Sequence, residues 1–431
     1  MSILKIKRIT SHLQGIIYLS AIILLSGASE LHGQNKINSP YSMFGPGEVS
    51  GHNNFRNMSM GGVSQAFRSN TSVNYINPAS YTAVDSLSFI FEGIVFSHFY
   101  QQKQADQNQM SNYSTLGNFN FAFPVTRWWS VAAGLLPYSQ LGYDIKDFST
   151  DETHGRINYL YKGNGGINKV YLGHGFKILP SLSVGINAAY LFGKIQDQSI
   201  AASDSLGFYT SIWSNTGEID GLMLSYGLQW HHNFNDQRRL NIGATYTHET
   251  PLDLKQSRTL SRELPGQVRL DTLNHITGET GKMNLPVRMG IGAFMDFNRT
   301  LSAGIDYETQ SWSDFTTPNT IQNLNDAYQV RLGGIYRPTI ETYSTFFSRL
   351  EYRAGFRYGK SFINWDNQDF NEIGISFGVG IPVRRSLSGL NIGFEYSTRD
   401  SGNPDMLKED FFKINVGVNI YERWFVRRKF Y

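Results

Sequence analysis

The sequence predicts an all-β fold: a transmembrane antiparallel β-barrel that follows an N-terminal segment without strand periodicity. Three observations predict it. From about residue 85 onward, segments of roughly 9 to 13 residues carry an apolar side chain at every second position. Tyr, Trp and Phe gather at the ends of those segments. The 431 residues, with a mean hydropathy of −0.31, contain no second apolar run near the ~20 residues that a membrane helix needs.

Composition narrows the class further. With 29 Phe, 24 Tyr, 7 Trp and only 17% charged residues, the chain must hide a large apolar surface and is not disordered. Its net charge of +3 argues against nucleic acid as a partner. The absence of Cys removes disulfides, thiolate nucleophiles and Cys-ligated metals.

The first element is an address. Residues 1–33 order a basic start (Lys5, Lys7, Arg8), an apolar stretch from Ile16 to Leu25 and small residues Ser26 to Ser29, which is the order of a secretory signal peptide. Residues 34–84 do not alternate, and they read as loops and turns with one short helical turn and a turn at Asn77 and Pro78.

The barrel is expected over 85–431. Its clearest segment puts Phe412, Ile414, Val416, Val418 and Ile420 on one face and Lys413, Asn415, Gly417 and Asn419 on the other, because successive strand side chains point to opposite sides. Leu390 to Ser397 and Leu301 to Glu308 sort in the same way. A soluble β-sandwich also alternates. The length of the segments, their aromatic ends and their repeated polar, glycine-rich faces favour lipid on one side and a lumen on the other. Counting gives about 14 to 16 strands. Polar, turn-rich stretches at 101–111, 147–155, 164–168, 196–204, 254–280 and 398–410 are expected to join them, the longer ones facing outward.

Met58-Ser59-Met60-Gly61-Gly62, a short run through Ala66, and Asn74-Tyr75-Ile76-Asn77-Pro78-Ala79 lead directly into the first strand. Over these roughly 45 residues the chain resembles the FadL-type family of outer-membrane barrels, the long-chain fatty acid transporters. The SPYS opening at 39–42, the GGIN turn at 165–168 and the ERWF ending at 422–425 resemble an uncharacterised branch of it. The resemblance implies 14 strands, an N-terminal plug at 34–84 and movement of hydrophobic small molecules across the outer membrane of a Gram-negative bacterium. The Asn77-Pro78-Ala79 match also occurs in relatives attached to a protein-secretion apparatus, which leaves a non-transporting scaffold as the alternative.

Chemistry finds little purchase. The adjacent pair His231 and His232 points to opposite faces of a strand and cannot chelate one ion, so no metal is expected. No G-x-S-x-G or H-E-x-x-H occurs, and neither an enzyme nor a cofactor is expected. Glycines 163, 165 and 166 read as a tight turn rather than a phosphate cradle. The lumen acids Glu92, Asp296, Asp306, Glu308 and Glu395 are expected to pair with lumen arginines such as Arg288. The terminal run Arg423, Arg427, Arg428 and Lys429 reads as a periplasmic or interfacial end.

The expected function is therefore passive uptake of hydrophobic small molecules such as long-chain fatty acids by a monomeric barrel. Gly61 and Gly62 would free the plug backbone, and Asn77, Pro78 and Ala79 would fix its turn into the wall. Expected partners are the hydrophobic ligand, the surrounding lipid and, in the alternative reading, a secretion-complex protein.

Overall fold

The computed structural model describes residues 38–424 except 52–53, 106, 152–154, 205–207, 264–269, 319–321, 340–344 and 385. The expected signal segment and the end of the basic run lie outside the described residues. The described residues belong to one unit, Lys36–Tyr431.

Apart from a two-residue strand in the N-terminal segment, β1 (Glu48–Val49), the strands run in chain order around one ring. They are β2 (Ser88–Gln104), β3 (Gln107–Pro124), β4 (Trp129–Asp151), β5 (Gly155–Leu179), β6 (Leu182–Ser203), β7 (Thr210–Asn233), β8 (Arg239–Thr247), β9 (Thr250–Glu263), β10 (Leu270–Leu285) and β11 (Arg288–Asp296), followed by β12 (Leu301–Gln310), β13 (Ala327–Tyr336), β14 (Glu351–Trp365), β15 (Gln368–Pro382), β16 (Gly389–Asp400) and β17 (Lys408–Arg423). β17 pairs back onto β2 from Lys408 with Lys103 to Arg423 with Ser88, so first and last wall strands join and the sheet closes into a ring.

Sixteen hydrogen-bonded segments make 14 strands. β7 pairs with β8 through its second half and with β9 through its first, so β8 and β9 are one strand interrupted at 248–249. β10 and β11 are likewise one strand, interrupted at 286–287, where Pro286 has no N–H to give the ladder. The two interruptions lie side by side and crease the wall.

The period-two sorting holds. On β17, Asn415, Gly417 and Asn419 are buried, while Phe412 and Ile420 are exposed. Across the barrel, outward positions such as Ile305, Leu332, Ile375 and Phe377 present bare apolar side chains, as contact with hydrocarbon requires.

Two expectations are corrected. Many strands are longer than 13 residues: β4 to β7 have 22 to 25, while β8, β11, β12, β13 and β16 have 9 to 12, and much of the 147–155, 196–204 and 254–280 stretches is strand. Polar sequence there belongs to hairpin arms, whose ladder bonds continue beyond the span. The expected turn at 163–168 is the middle of β5. Gly165 and Gly166 have φ of +124° and +150°, open only to glycine, and a β-carbon would lie 2.1 Å from the Lys194 oxygen or 2.5 Å from the Ser139 oxygen. Glycine there lets β4, β5 and β6 approach closely.

The interior is divided. Towards β4 to β10 it is apolar, with Leu136, Ile167, Leu191, Ile219, Leu252 and Met283 packed with Trp312, Phe315 and Leu324 from the connection after β12. Towards β12 to β17 it is charged, and Arg331 is fully buried beside Glu308 at 2.9 Å.

Candidate functional site

The N-terminal segment is pinned to the wall around the ring. It carries a 3-10 turn (Pro40–Met43), β1, one short helix α1 (Phe55–Met58) and a 3-10 helix (Pro78–Ala83). Asn54 caps α1 by accepting the Arg56 N–H, and Asn77 caps the 3-10 helix by accepting that of Ala79. The backbone N–H groups of Ser64 and Gln65 both donate to Asp306 on β12. Arg68 reaches Gln229 on β7, and Tyr81 donates to Asn187 on β6.

The five residues singled out in the sequence are all buried in this segment. Gly61, at φ +68°, donates its N–H to Ser376 on β15. Gly62, at φ +94°, donates to the Asn57 carbonyl. The Asn77 amide donates to Gln65, Leu228 and Ala244 carbonyls, tying the segment to β7 and β8. Pro78 and Ala79 open the 3-10 helix. The two glycines and the Asn77–Ala79 group thus meet the wall at separate places.

The wall is broken between β3 and β4. β3 pairs with β4 only from Phe119 with Leu135 to Pro124 with Ser130. Those six pairs fall short of the ~9 to 11 residues that cross a bilayer. Above Phe119 the two strands part, at the point where Gly117 and Asn118 bulge out of register with β2. The exposed edge of β4 is taken by the N-terminal segment: Glu48 and Val49 of β1 pair with Gln140 and Ser139, and the Ser50 N–H donates to the Tyr138 carbonyl at 2.9 Å.

Behind the break lies a cavity with two kinds of wall. Phe96, Tyr100, Tyr113 and Phe411 supply aromatic faces, and Pro137 and Gln140 come from β4. The charged part of the lining is ion-paired. Arg399 contacts Glu48 of β1 at 2.7 Å, Glu372 at 2.8 Å and Glu409 at 3.1 Å. Arg357 and Lys413 share Glu395, at 2.9 and 3.5 Å. Three carboxylates on one buried guanidinium make Arg399 the tie between the strand filling the break and the wall.

The lumen acids find several kinds of partner. Asp296 pairs with Arg239, and Glu308 with Arg331. Asp306 serves backbone N–H groups, and Glu92 takes the Asn54 amide. No group of three or more His, Asp or Glu able to hold a metal occurs among the described residues.

A family model described as BamG matches residues 15–431. The chain belongs to the BamG family. No curated protein matches it. Solved structures share the fold of this BamG-family barrel. A FadL homologue of Pseudomonas aeruginosa is 11% identical with a TM-score of 0.57, covering 88% of this chain and 99% of that one. The toluene transporter TbuX of Ralstonia pickettii is 15% identical (TM-score 0.57; 88% and 98% covered). The toluene transporter TodX of Pseudomonas putida is 14% identical (TM-score 0.60; 87% and 99% covered). At these identities the likeness concerns the fold, which is the FadL-type 14-strand barrel.

Sequence reading of this BamG-family chain missed Glu48, Arg399 and the β3–β4 break. Pro137 and the Gly117-Asn118 pair were the available signals, since Pro and Gly inside strands mark bulges and lost pairing.

Proposed function

We propose that the protein sits in the outer membrane of a Gram-negative bacterium and admits hydrophobic small molecules, long-chain fatty acids among them, sideways through its wall. The single observation that carries this reading is the break between β3 and β4, with an aromatic cavity behind it and only the two-residue β1 pairing in it. The toluene transporters that share the fold support it. The end bearing the start of β2 and the end of β17 faces the periplasm, where turns such as 179–182 are short.

In this reading residues 34–84 are the plug. Gly61 and Gly62 shape its backbone, and Asn77, Pro78 and Ala79 fasten it, so that the axis of the barrel stays shut. A fatty acid enters from above, lays its chain on Tyr100, Tyr113 and Phe411, and brings its carboxylate to Arg399 as Glu48 withdraws with β1. The exchange of one carboxylate for another keeps the buried guanidinium neutralised. Apolar burial, at ~25 cal/mol per Å², and the concentration gradient drive the transfer. No nucleotide and no cofactor enter the scheme.

Because the chain lacks Cys, a Glu48→Cys, Gln140→Cys pair can tie β1 to β4 at partnered positions. Labelled fatty acid uptake into proteoliposomes should fall to the protein-free rate when the pair is oxidised and recover on reduction. Uptake unaffected by the bond would overturn the side route. Uptake absent even in the parent protein would overturn transport and leave the second reading, a sealed barrel that scaffolds or hands over cargo in a secretion or surface complex. That reading draws on the apolar half of the interior being packed with the chain's own side chains.

A further inference from the structure

The barrel end that carries the start of β2 and the end of β17 is basic. Each of its six connections has a cation at or beside the turn: Arg127, Lys177, Arg238, Arg299, Arg337 and Arg384. The tips at the other end carry acidic residues, as at Asp204, Asp366 and Asp405. The sorting is partial, since Asp236, Asp296 and Glu422 lie at the basic end and Lys103, Arg156 and Arg262 at the other.

Just inside the basic mouth three guanidinium groups converge on one carboxylate. Glu351 meets Arg353, Arg337 at 2.7 Å and, from α1 of the N-terminal segment, Arg56 at 3.6 Å. It is the one carboxylate within ion-pair distance of them among the described residues, and the buried Glu92 acts on Arg56 and Arg353 from farther off. The Arg353 side chain is 1% exposed, and its Nη1 has no hydrogen-bond acceptor. Buried cations in excess over their counter-ions are costly until a further anion arrives.

We infer that this mouth is a docking site for an acidic segment of a periplasmic protein, whose carboxylates complete the Arg56, Arg337 and Arg353 cluster while the turn cations steer its approach. The position of the cluster chooses the occupant. Arg353 faces the interior, donating to Asn391 at 2.8 Å with its guanidinium 5.8 Å from the Phe55 ring, so the cluster is walled off from the lipid headgroups around the barrel.

The probe is a fluorescein-labelled deca-glutamate peptide, titrated onto the full chain in zwitterionic nanodiscs. Binding should weaken by about tenfold or more between roughly 50 and 500 mM salt. Arg337→Gln should weaken it about tenfold, whereas Glu351→Gln, by removing the internal competitor, should tighten it. Lys408→Gln at the far end should leave it unchanged. Each variant is compared only after its heat-modifiable mobility matches the parent, and Arg299→Gln replaces any that fails. No binding, weaker binding by the Glu351 variant, or loss of peptide binding when the discs carry phosphatidylglycerol would overturn the proposal, the last by assigning the site to a lipid headgroup. None of these readouts involves uptake, so the result is independent of the transport reading.

Discussion

Gly61 lies where the N-terminal segment passes closest to β14. A β-carbon there would sit 2.7 Å from the Phe356 carbonyl oxygen, and its φ of +68° already disfavours other residues. Gly61→Ala should therefore destabilise the folded barrel by roughly 1–3 kcal/mol. The temperature at which the heat-modifiable band disappears measures this, and an unchanged temperature would show that the segment backbone yields freely. Gly61, Gly62 and Asn77 were readable in the sequence because backbone freedom and capping are local properties. The contact between Glu48 and Arg399 was not, since 351 positions separate the two and only the closed register of the ring brings them together. The same holds for Asp306, which alternation places on the lumen face without revealing that two N–H groups of the segment would meet it.

At the scale of an element, the apolar face of each strand was legible because a period of two is enforced wherever one side meets lipid and the other does not. Strand ends were not, because the ladder runs on into polar arms where nothing apolar marks it. β5 shows the ambiguity most sharply. Gly-Asn-Gly-Gly satisfies the local chemistry of a turn, yet its neighbours Ser139 and Lys194 crowd it from both sides and keep it extended. Gly166→Val should thus break pairing between β4 and β5 near Ser139 and speed amide exchange on both strands there, relative to Gly402→Val, whose site shares the positive φ (+77°) but has nothing within 4 Å. Equal exchange in the two variants would restore the turn reading for this stretch. A loosened β4 would also lose its hold on β1, so the Gly166 variant should raise leakage through the wall break.

For the whole molecule, the ring closes with its apolar side outward, and the free energy of that arrangement depends on depth in the bilayer. Ile375 lies mid-strand on β15 and is 44% exposed, whereas Val383 follows the end of the same strand. If hydrocarbon surrounds the barrel, Ile375→Lys should cost about 2–4 kcal/mol and Val383→Lys about 0–1 kcal/mol. Urea unfolding in phospholipid vesicles supplies both values. A cost that is the same at the two depths would mean that another protein layer, not lipid, covers the outward face, and the wall break would then open onto that layer instead of the membrane. A cost confined to the mid-strand site places the break in hydrocarbon, where an unpaired β4 edge is tolerated only because β1 supplies its hydrogen-bond partners. In the proposed side route, the strand that completes the wall is also the one that moves, so closure of the fold and admission of a ligand compete for the same few hydrogen bonds.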